Sequence, residues 1–342
     1  MTTPSSFDFA EELTRRFGCE EGIYRAEPSP GYWSNLNTDE NKELMEALEN
    51  KPAREAIREK FPALEEVIYS LKRQAGLELL DLTGEETCID YGCMWGALTI
   101  PLAQRTRFVL GVDQTMDSLR FLKARARESR CDNVALLNAD LKSMPLLSRK
   151  ADIAVVNGVL EWIPESGTVE LKKFYGQRTV RTYQGNPRDH QKSFLQRVHE
   201  NLTPGGKLYL AIENRYAYEM FLGVPDPHSN LRFTSIAPRK VADWISRIKL
   251  GRAYVNWLYS FGDLEQLLKD AGFSAIDSYL CFPDYRFPQK ILSTANSLED
   301  FQSALPDKPF LKWKVRRLLE NILFRKLKLK GLAPSIIAIA RT

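Results

Sequence analysis

An α/β fold built on a doubly wound, mostly parallel sheet is what this 342-residue sequence predicts, and three observations predict it. Short apolar runs alternate with helical patterns between residues 86 and 275. Five successive runs end on a polar or acidic residue: Asp90, Asp113, Asp140, Asn157 and Glu213. A glycine turn follows the first run, where Gly92 and Gly96 punctuate T-C-I-D-Y-G-C-M-W-G-A-L-T-I at 87–100. Strands alternating with helices wind a parallel sheet by right-handed crossovers, and ligands bind beyond the carboxyl ends of its strands, where strand order reverses. That rule lines the five residues along one rim. Each of them singly is equally consistent with an ordinary helix N-cap.

Taken in order, residues 1–40 read as a polar and aromatic arm with G-I-Y-R and P-S-P-G-Y-W. T-D-E-N at 38–41 is a helix start, and Leu44, Met45, Leu48, Ala53, Ile57 and Phe61 recur at helical spacing. Pro62 opens a further turn, and Leu64, Val67, Ile68, Leu71 and 77–80 predict an amphipathic helix ending near Asp81. Residues 1–82 are therefore expected as an N-terminal helical cap or arm, and 83–342 as the main domain. After a helix at 97–105, F-V-L-G-V-D is a short buried strand ending at Asp113. A helix at 116–129 leads to V-A-L-L-N-A-D, ending at Asp140. D-I-A-V-V-N-G-V-L-E-W-I from Asp152, a helix around 193–201 and the strand K-L-Y-L-A-I-E-N complete the alternation.

Composition excludes little. Forty-eight basic against 44 acidic residues give a net charge of +4, too small by itself to imply a nucleic-acid partner. Five cysteines with no C-x-x-C pair predict reduced thiols and a cytoplasmic home. The N-terminus has neither a basic start nor an apolar h-region, and no apolar run is long enough to span a bilayer. No metal is expected.

With these motifs the chain resembles the class I S-adenosylmethionine-dependent methyltransferases. Their first motif, [D/E]-x-G-x-G-x-G, is matched by Asp90-Tyr91-Gly92-Cys93-Met94-Trp95-Gly96, with Met94 where the family has its middle glycine. The resemblance implies a seven-stranded sheet with an antiparallel last strand, A-P-S-I-I-A-I-A-R-T, and S-adenosylmethionine as cofactor, with S-adenosylhomocysteine as product. It places Gly92, Cys93 and Gly96 against the amino-acid part of the cofactor, Asp113 on both ribose hydroxyls, Asp140 and the Leu141 N–H on the adenine, and Asn157 beside the methionine moiety. E-N-R at 213–215, G-V-P-D-P-H at 223–228 and P-D-Y-R-F-P at 283–288 look, more loosely, like a bacterial subgroup of saccharide and surface-glycan biosynthesis.

Methyl transfer to an alcohol needs alignment and a base, and histidine titrates nearest neutral pH. His190 and His199 lie away from the expected rim, so His228 is the leading base, Glu213 the second, and Asp226 an orienting partner. A loop histidine bonded to backbone is the plain alternative for His228. Glu161, one turn past Asn157, is read either as facing the pocket or as a helix N-terminal carboxylate. Arg215, Tyr285 and Arg286 are read as substrate contacts or as packing. Inserts at about 165–190, 215–258 and 290–331 would carry specificity, the first as a lid. Residues 310–330 hold eight basic residues against Glu320, an amphipathic stretch for an anionic membrane surface or a helix docked on the sheet.

The expected function is methyl transfer to a small-molecule or saccharide acceptor, at oxygen. The alternatives are a non-catalytic cofactor-binding module and an N- or C-methyltransferase of a natural product or macromolecule. Asn157-Gly158-Val159-Leu160, where base N6-methylating enzymes carry N-P-P-aromatic, argues against nucleic acid.

Overall fold

The computed structural model describes residues 6–26, 36–165 and 185–342. Ten strands form one sheet: β1 (Gly18–Glu20), β2 (Ile23–Arg25), β3 (Thr87–Tyr91), β4 (Phe108–Asp113), β5 (Val134–Asn138), β6 (Ala151–Asn157), β7 (Leu202–Glu213), β8 (Ala275–Phe282), β9 (Lys290–Ser293) and β10 (Ser335–Arg341). Their spatial order is β1-β2-β5-β4-β3-β6-β7-β10-β8-β9. From β2 to β7 neighbours run parallel, while β10 lies antiparallel between β7 and β8. The seven expected strands are thus present, with the last one antiparallel as the family resemblance implies. Strand order reverses beside β3, so the rim above β3 and β6 is the switch point.

The count of seven is exceeded by three strands, all at the edges. The β1–β2 hairpin joins β5 through Tyr24 and Arg25, and β9 pairs with β8. Short added strands cover ladders that would otherwise present unpaired N–H and C=O groups. The hairpin falls in the stretch read as an arm. So does α1 (Ser6–Arg16), whose Phe9 and Leu13 pack into the main core beside Leu110 and Leu137. Residues 6–26 therefore belong to the sheet and its core.

Alternation along each central strand divides the core between the two sheet faces. Ile89 and Tyr91 of β3 join Phe194, Leu195, Leu264 and Leu267 on one face. Cys88 faces the other, with Leu119, Leu122, Leu77 and Leu80. The helices follow their signals: α2 (Thr38–Leu48), α3 (Ala53–Lys60), α4 (Pro62–Tyr69), α5 (Thr99–Ala103), α6 (Met116–Glu128), α7 (Pro187–Glu200), α8 (Tyr218–Phe221), α9 (Arg239–Leu250), α10 (Phe261–Asp270) and α11 (Leu311–Glu320). Asn37 and Glu40 close a capping box that starts α2. One expectation changes: the helix predicted through 64–80 ends at Tyr69, and Leu71–Leu80 continues as 3-10 turns. Helices α2 to α4 pack their own apolar cluster, Leu44, Ala53, Ile57 and Ile68, onto Trp95 and Phe121. That cluster docks the cap directly on the glycine turn.

Candidate functional site

A cavity of about 300 Å³ opens at the switch point, near the lower end of the range for small-molecule sites. The glycine turn forms one wall. Gly92 and Gly96 take φ of +70° and +77°. A Cβ on Gly92 would lie 2.5 Å from Val159 Cγ2, and one on Gly96 2.1 Å from Leu122 Cδ1. Backbone handedness and packing thus both demand glycine at these two places.

Met94 shares that handedness, with φ +47°. The family's middle glycine would adopt it freely, whereas an L side chain there costs roughly 1–2 kcal/mol. Two contacts hold it. The Met94 N–H donates to Asp113 Oδ2 at 2.9 Å, and its side chain packs on the cap cluster with Trp95. The departure from the motif is therefore where the turn meets the helical cap.

Asp113 closes the turn from β4. Its Oδ1 accepts the Thr115 N–H at 2.8 Å while Oδ2 takes that of Met94, and burial pushes its pKa up to about 6 against these bonds. Asp90 accepts from the Thr99 hydroxyl at 2.6 Å, and burial raises its pKa to about 7. Each carboxylate oxygen offers more than one acceptor site, so both groups keep capacity toward the cavity they line. Arg73, from the cap, also lines it; burial lowers its pKa, and its Nε has no hydrogen-bond partner.

The facing wall comes from β6, β7 and the segment after β7. Asn157, Trp162, Glu213, Pro227 and His228 line it, together with Tyr285 and Arg286. Gly158 has φ +68°, and the Tyr285 hydroxyl stands 2.3 Å from where a Cβ would be, so glycine is needed on both counts. His228 Nε2 lies 3.6 Å from Glu161 Oε1 and 3.8 Å from Glu213 Oε2, and Nδ1 lies 3.7 Å from Asp226 Oδ1. Asp226 is anchored by the backbone N–H groups of His228 and Ser229 and by the Tyr254 hydroxyl at 2.8 Å. Burial would lower the His228 pKa, but Asp226, Glu161 and Glu213 outweigh it and hold the ring well above its ordinary value. Burial raises Glu213 to about 7, moderated by the charge of His228. Burial would also raise Asp226, yet its bonds to His228, Ser229 and Tyr254 bring it down to about 2.

Of the residues singled out from sequence, Asp90, Gly92, Cys93, Asp113, Leu141, Asn157, Glu213 and His228 line the cavity together. Gly96 supports the turn from behind, and Asp226 supports His228. Asp140 stands beside the cavity, not in its lining, as the N-cap of the turn Leu141–Ser143, accepting from the Lys142 N–H at 2.9 Å. Arg215 is spent on the carbonyls of Ser235 and Ala237, which makes it a packing residue. His199 packs edge-on against Phe273. The expected lid lies mostly at 166–184, outside the described residues. Sequence reasoning missed Arg73, Gln114 and Trp162 as lining residues: the first two belong to no motif, and Trp162 ends the stretch V-V-N-G-V-L-E-W without a role assigned to it.

Residues 82–241 match the family model described as a methyltransferase domain. Among curated proteins, an uncharacterized RNA methyltransferase of Clostridium tetani is 31% identical over 100 residues, covering 28% of this chain and 21% of that protein. A malonyl-[acyl-carrier protein] O-methyltransferase of Hamiltonella defensa is 28% identical over 109 residues, 31% of this chain and 40% of its own. The chain thus spans less than half the length of these curated relatives. A solved S-adenosylmethionine-dependent methyltransferase from Mesorhizobium loti covers 79% of this chain and 98% of its own, at 16% identity and a TM-score of 0.43.

Proposed function

From the premise that this chain belongs to the class I S-adenosylmethionine-dependent methyltransferases, we propose that it transfers a methyl group to a hydroxyl oxygen of a small-molecule or saccharide acceptor. The observation that carries this reading is the two-walled cavity: a glycine turn with two acidic residues on one side, and Glu213 with His228 on the other. The first wall suits the cofactor. It presents two carboxyl groups, Asp90 and Asp113, beside the cation Arg73, to a sulfonium cation, and its glycine backbone leaves no Cβ in the way. Asp90, Gly92, Cys93, Asp113, Leu141 and Asn157 would hold it, with Gly96 and Asp140 supporting the turns they belong to. When bound, the cofactor supplies an electrophilic methyl group.

The second wall suits the acceptor. Glu213 is its accessible carboxylate, 13% exposed against 3% for His228, and its Oε2 has no hydrogen-bond partner. We therefore assign the base role to Glu213 ahead of His228, the residue that the sequence puts first. Glu213 would receive the acceptor's proton as the new C–O bond forms and the methyl–sulfur bond of the cofactor breaks, and His228, whose backbone N–H is bonded to Asp226, positions Glu213. Tyr285 and Arg286 complete the wall.

The test is transfer from methyl-labelled S-adenosylmethionine to a panel of hydroxylated, amine and carbon acceptors, including nucleoside-diphosphate sugars and RNA. Label in a sugar or small-molecule hydroxyl that is lost with Glu213→Gln supports the reading. Label only in RNA, or only on nitrogen or carbon, overturns the acceptor class. Cofactor binding with no transfer to any acceptor would favour the non-catalytic module.

A specific observation also favours a peripheral membrane contact, for which we infer an anionic bilayer. Helix α11 turns Leu311, Val315 and Leu318 outward, with Leu311 76% exposed, while Leu319, and Phe324 in the turn that follows the helix, pack toward the core. Helix α9 does the same with Val241, Trp244 and Ile248, Trp244 being 64% exposed. Glu320, the acid of the basic stretch, is buried and bonded to the Tyr218 hydroxyl, so the outer face is left to Lys312, Lys314 and other cations. Basic residues flanking an exposed apolar stripe match an anionic lipid surface. No helix among the described residues is long and apolar enough to cross a membrane. Flotation with phosphatidylglycerol vesicles should carry the protein, and Leu311→Glu with Trp244→Glu should abolish this; no flotation of the wild type overturns the contact.

A further inference from the structure

One cluster in the cavity wall is built more elaborately than proton transfer requires. Glu161 is completely buried, and neither of its carboxylate oxygens has a hydrogen-bond partner. A buried carboxylate is costly unless it is paired and hydrogen-bonded or coordinates a metal. Glu213 Oε2 is likewise buried without one. One oxygen from each glutamate and the His228 ring nitrogen lie within 4.8 Å of one another.

The distances distinguish two explanations. A charge-assisted hydrogen bond closes to about 2.7–2.9 Å, whereas His228 Nε2 stands 3.6 and 3.8 Å from the two carboxylates. Ligands at right angles around one cation, about 2.1–2.4 Å from it, are separated by about 3.0–3.4 Å. The observed spacing lies a few tenths of an ångström above that and beyond the roughly 2.7–3.2 Å of an ordinary hydrogen bond. His228 is held through its backbone: Asp226 Oδ1 accepts the His228 N–H at 2.9 Å and stands 3.7 Å from Nδ1, while Nε2 is the ring nitrogen nearest the two glutamates. Asp226 is itself held by Tyr254 and two backbone N–H groups, and the Trp162 ring packs edge-on against His228 at 4.9 Å.

We propose that Glu161, Glu213 and His228 bind one divalent cation at the acceptor end of the cavity. The cation displaces the proton that the three carboxylates otherwise keep on the His228 ring. Two carboxylates and one imidazole favour a cation of the manganese or magnesium class, with zinc as the competitor. Glu161 lies behind the wall while Glu213 and His228 line the cavity, so the remaining coordination positions face the space where the acceptor would sit. The inference deepens the reading of this wall as the acceptor site and rests on it for the cation's role: the cation holds the acceptor oxygen, and Glu213, bound through one oxygen, keeps the other for the acceptor's proton. The sequence carries no sign of it, because the three ligands are scattered over three segments without motif spacing.

The experiment uses the full chain stripped with a chelator and titrated with Mn2+, followed by electron paramagnetic resonance and calorimetry. One Mn2+ per chain is expected, with the nitrogen modulation of a single imidazole in the pulsed spectrum. Glu161→Gln should weaken binding at least tenfold while binding of S-adenosylhomocysteine is kept, which shows the variant folded. If Glu161→Gln does not fold, the imidazole modulation in the wild type decides alone. No saturable binding of Mn2+, Mg2+ or Zn2+, no imidazole signal, or unchanged affinity in a folded Glu161→Gln would overturn the proposal. Binding is read without turnover, so Mn2+ bound as expected with no methyl transfer would instead overturn the functional reading.

Discussion

Replacing Asp113 by asparagine separates the architectural and ligand-binding roles of the strand end. Oδ1 accepts the Thr115 N–H at 2.8 Å and Oδ2 the Met94 N–H at 2.9 Å. An amide has one oxygen, so in either orientation its NH2 group faces one of these buried donors. An unsatisfied buried donor costs about 1–3 kcal/mol, and the donor most exposed to this loss, Met94, is already in the left-handed region. Urea unfolding at pH 7.5 should therefore show Asp113→Asn less stable by about 1–3 kcal/mol. Loss of a charged acceptor for cofactor hydroxyls, worth about 1.5–3 kcal/mol, should weaken S-adenosylhomocysteine binding about 10- to 150-fold by calorimetry. The pH dependence has a definite sign. The folded pKa of about 6 is raised above the ordinary carboxylate value. The proton-linked part of the Asp113 contribution is thus fully present at low pH and is lost as pH rises toward and through about 6, leaving at pH 7.5 the part that rests on the two accepted hydrogen bonds. The stability difference between wild type and variant should shrink across that interval and level off above it. Unchanged stability together with affinity within twofold of wild type would refute the reasoning.

Other expectations follow from the same geometry. Gly96→Ala combines left-handed strain of about 1–2 kcal/mol with overpacking of about 1–3 against Leu122, whereas Gly84→Ala, at φ +97° with nothing within 4 Å, carries strain alone; denaturation should rank them in that order. Glu12 accepts from the Ser148 and Arg149 N–H groups at 2.7 and 2.8 Å; burial would raise its pKa, but these bonds and Arg16 bring it below its ordinary value. Its contribution should be present above about pH 4.5 and disappear as pH falls through the folded value, so Glu12→Gln should be destabilised by about 1–3 kcal/mol at pH 7 and converge on wild type in acid melts. Asp113→Ala should impair cofactor binding far more than His228→Ala, which should act mainly on turnover; equal losses in binding would contradict the division between the two walls.

Much of this was legible because parallel strands buried on both faces leave continuous apolar runs, and their polar ends mark the rim. Asp90, Asp113, Asn157 and Glu213 were found that way. The β1–β2 hairpin was not, since a three-residue edge strand is too short to show a period. Asp140 matched a motif, yet its carboxylate caps the turn at Lys142, and only neighbouring Leu141 reaches the cavity. His228 was recognised by residue type, but its relation to Glu161 and Glu213 depends on a fold that joins positions far apart in sequence. Arg73 and Trp162 reach the site from a 3-10 segment and a turn, where no periodicity points inward. The outward apolar faces of α9 and α11 have helical spacing that sequence alone reads as core, and only packing shows which side faces out.

The central claim, that the glycine turn and the acidic strand ends form a cofactor site, is tested most directly by calorimetric titration of the full chain with S-adenosylhomocysteine and S-adenosylmethionine. Saturable binding of one molecule per chain, weakened by Asp113→Asn and unaffected by Arg215→Lys, is the predicted result. No measurable binding of either compound to folded protein would contradict the account.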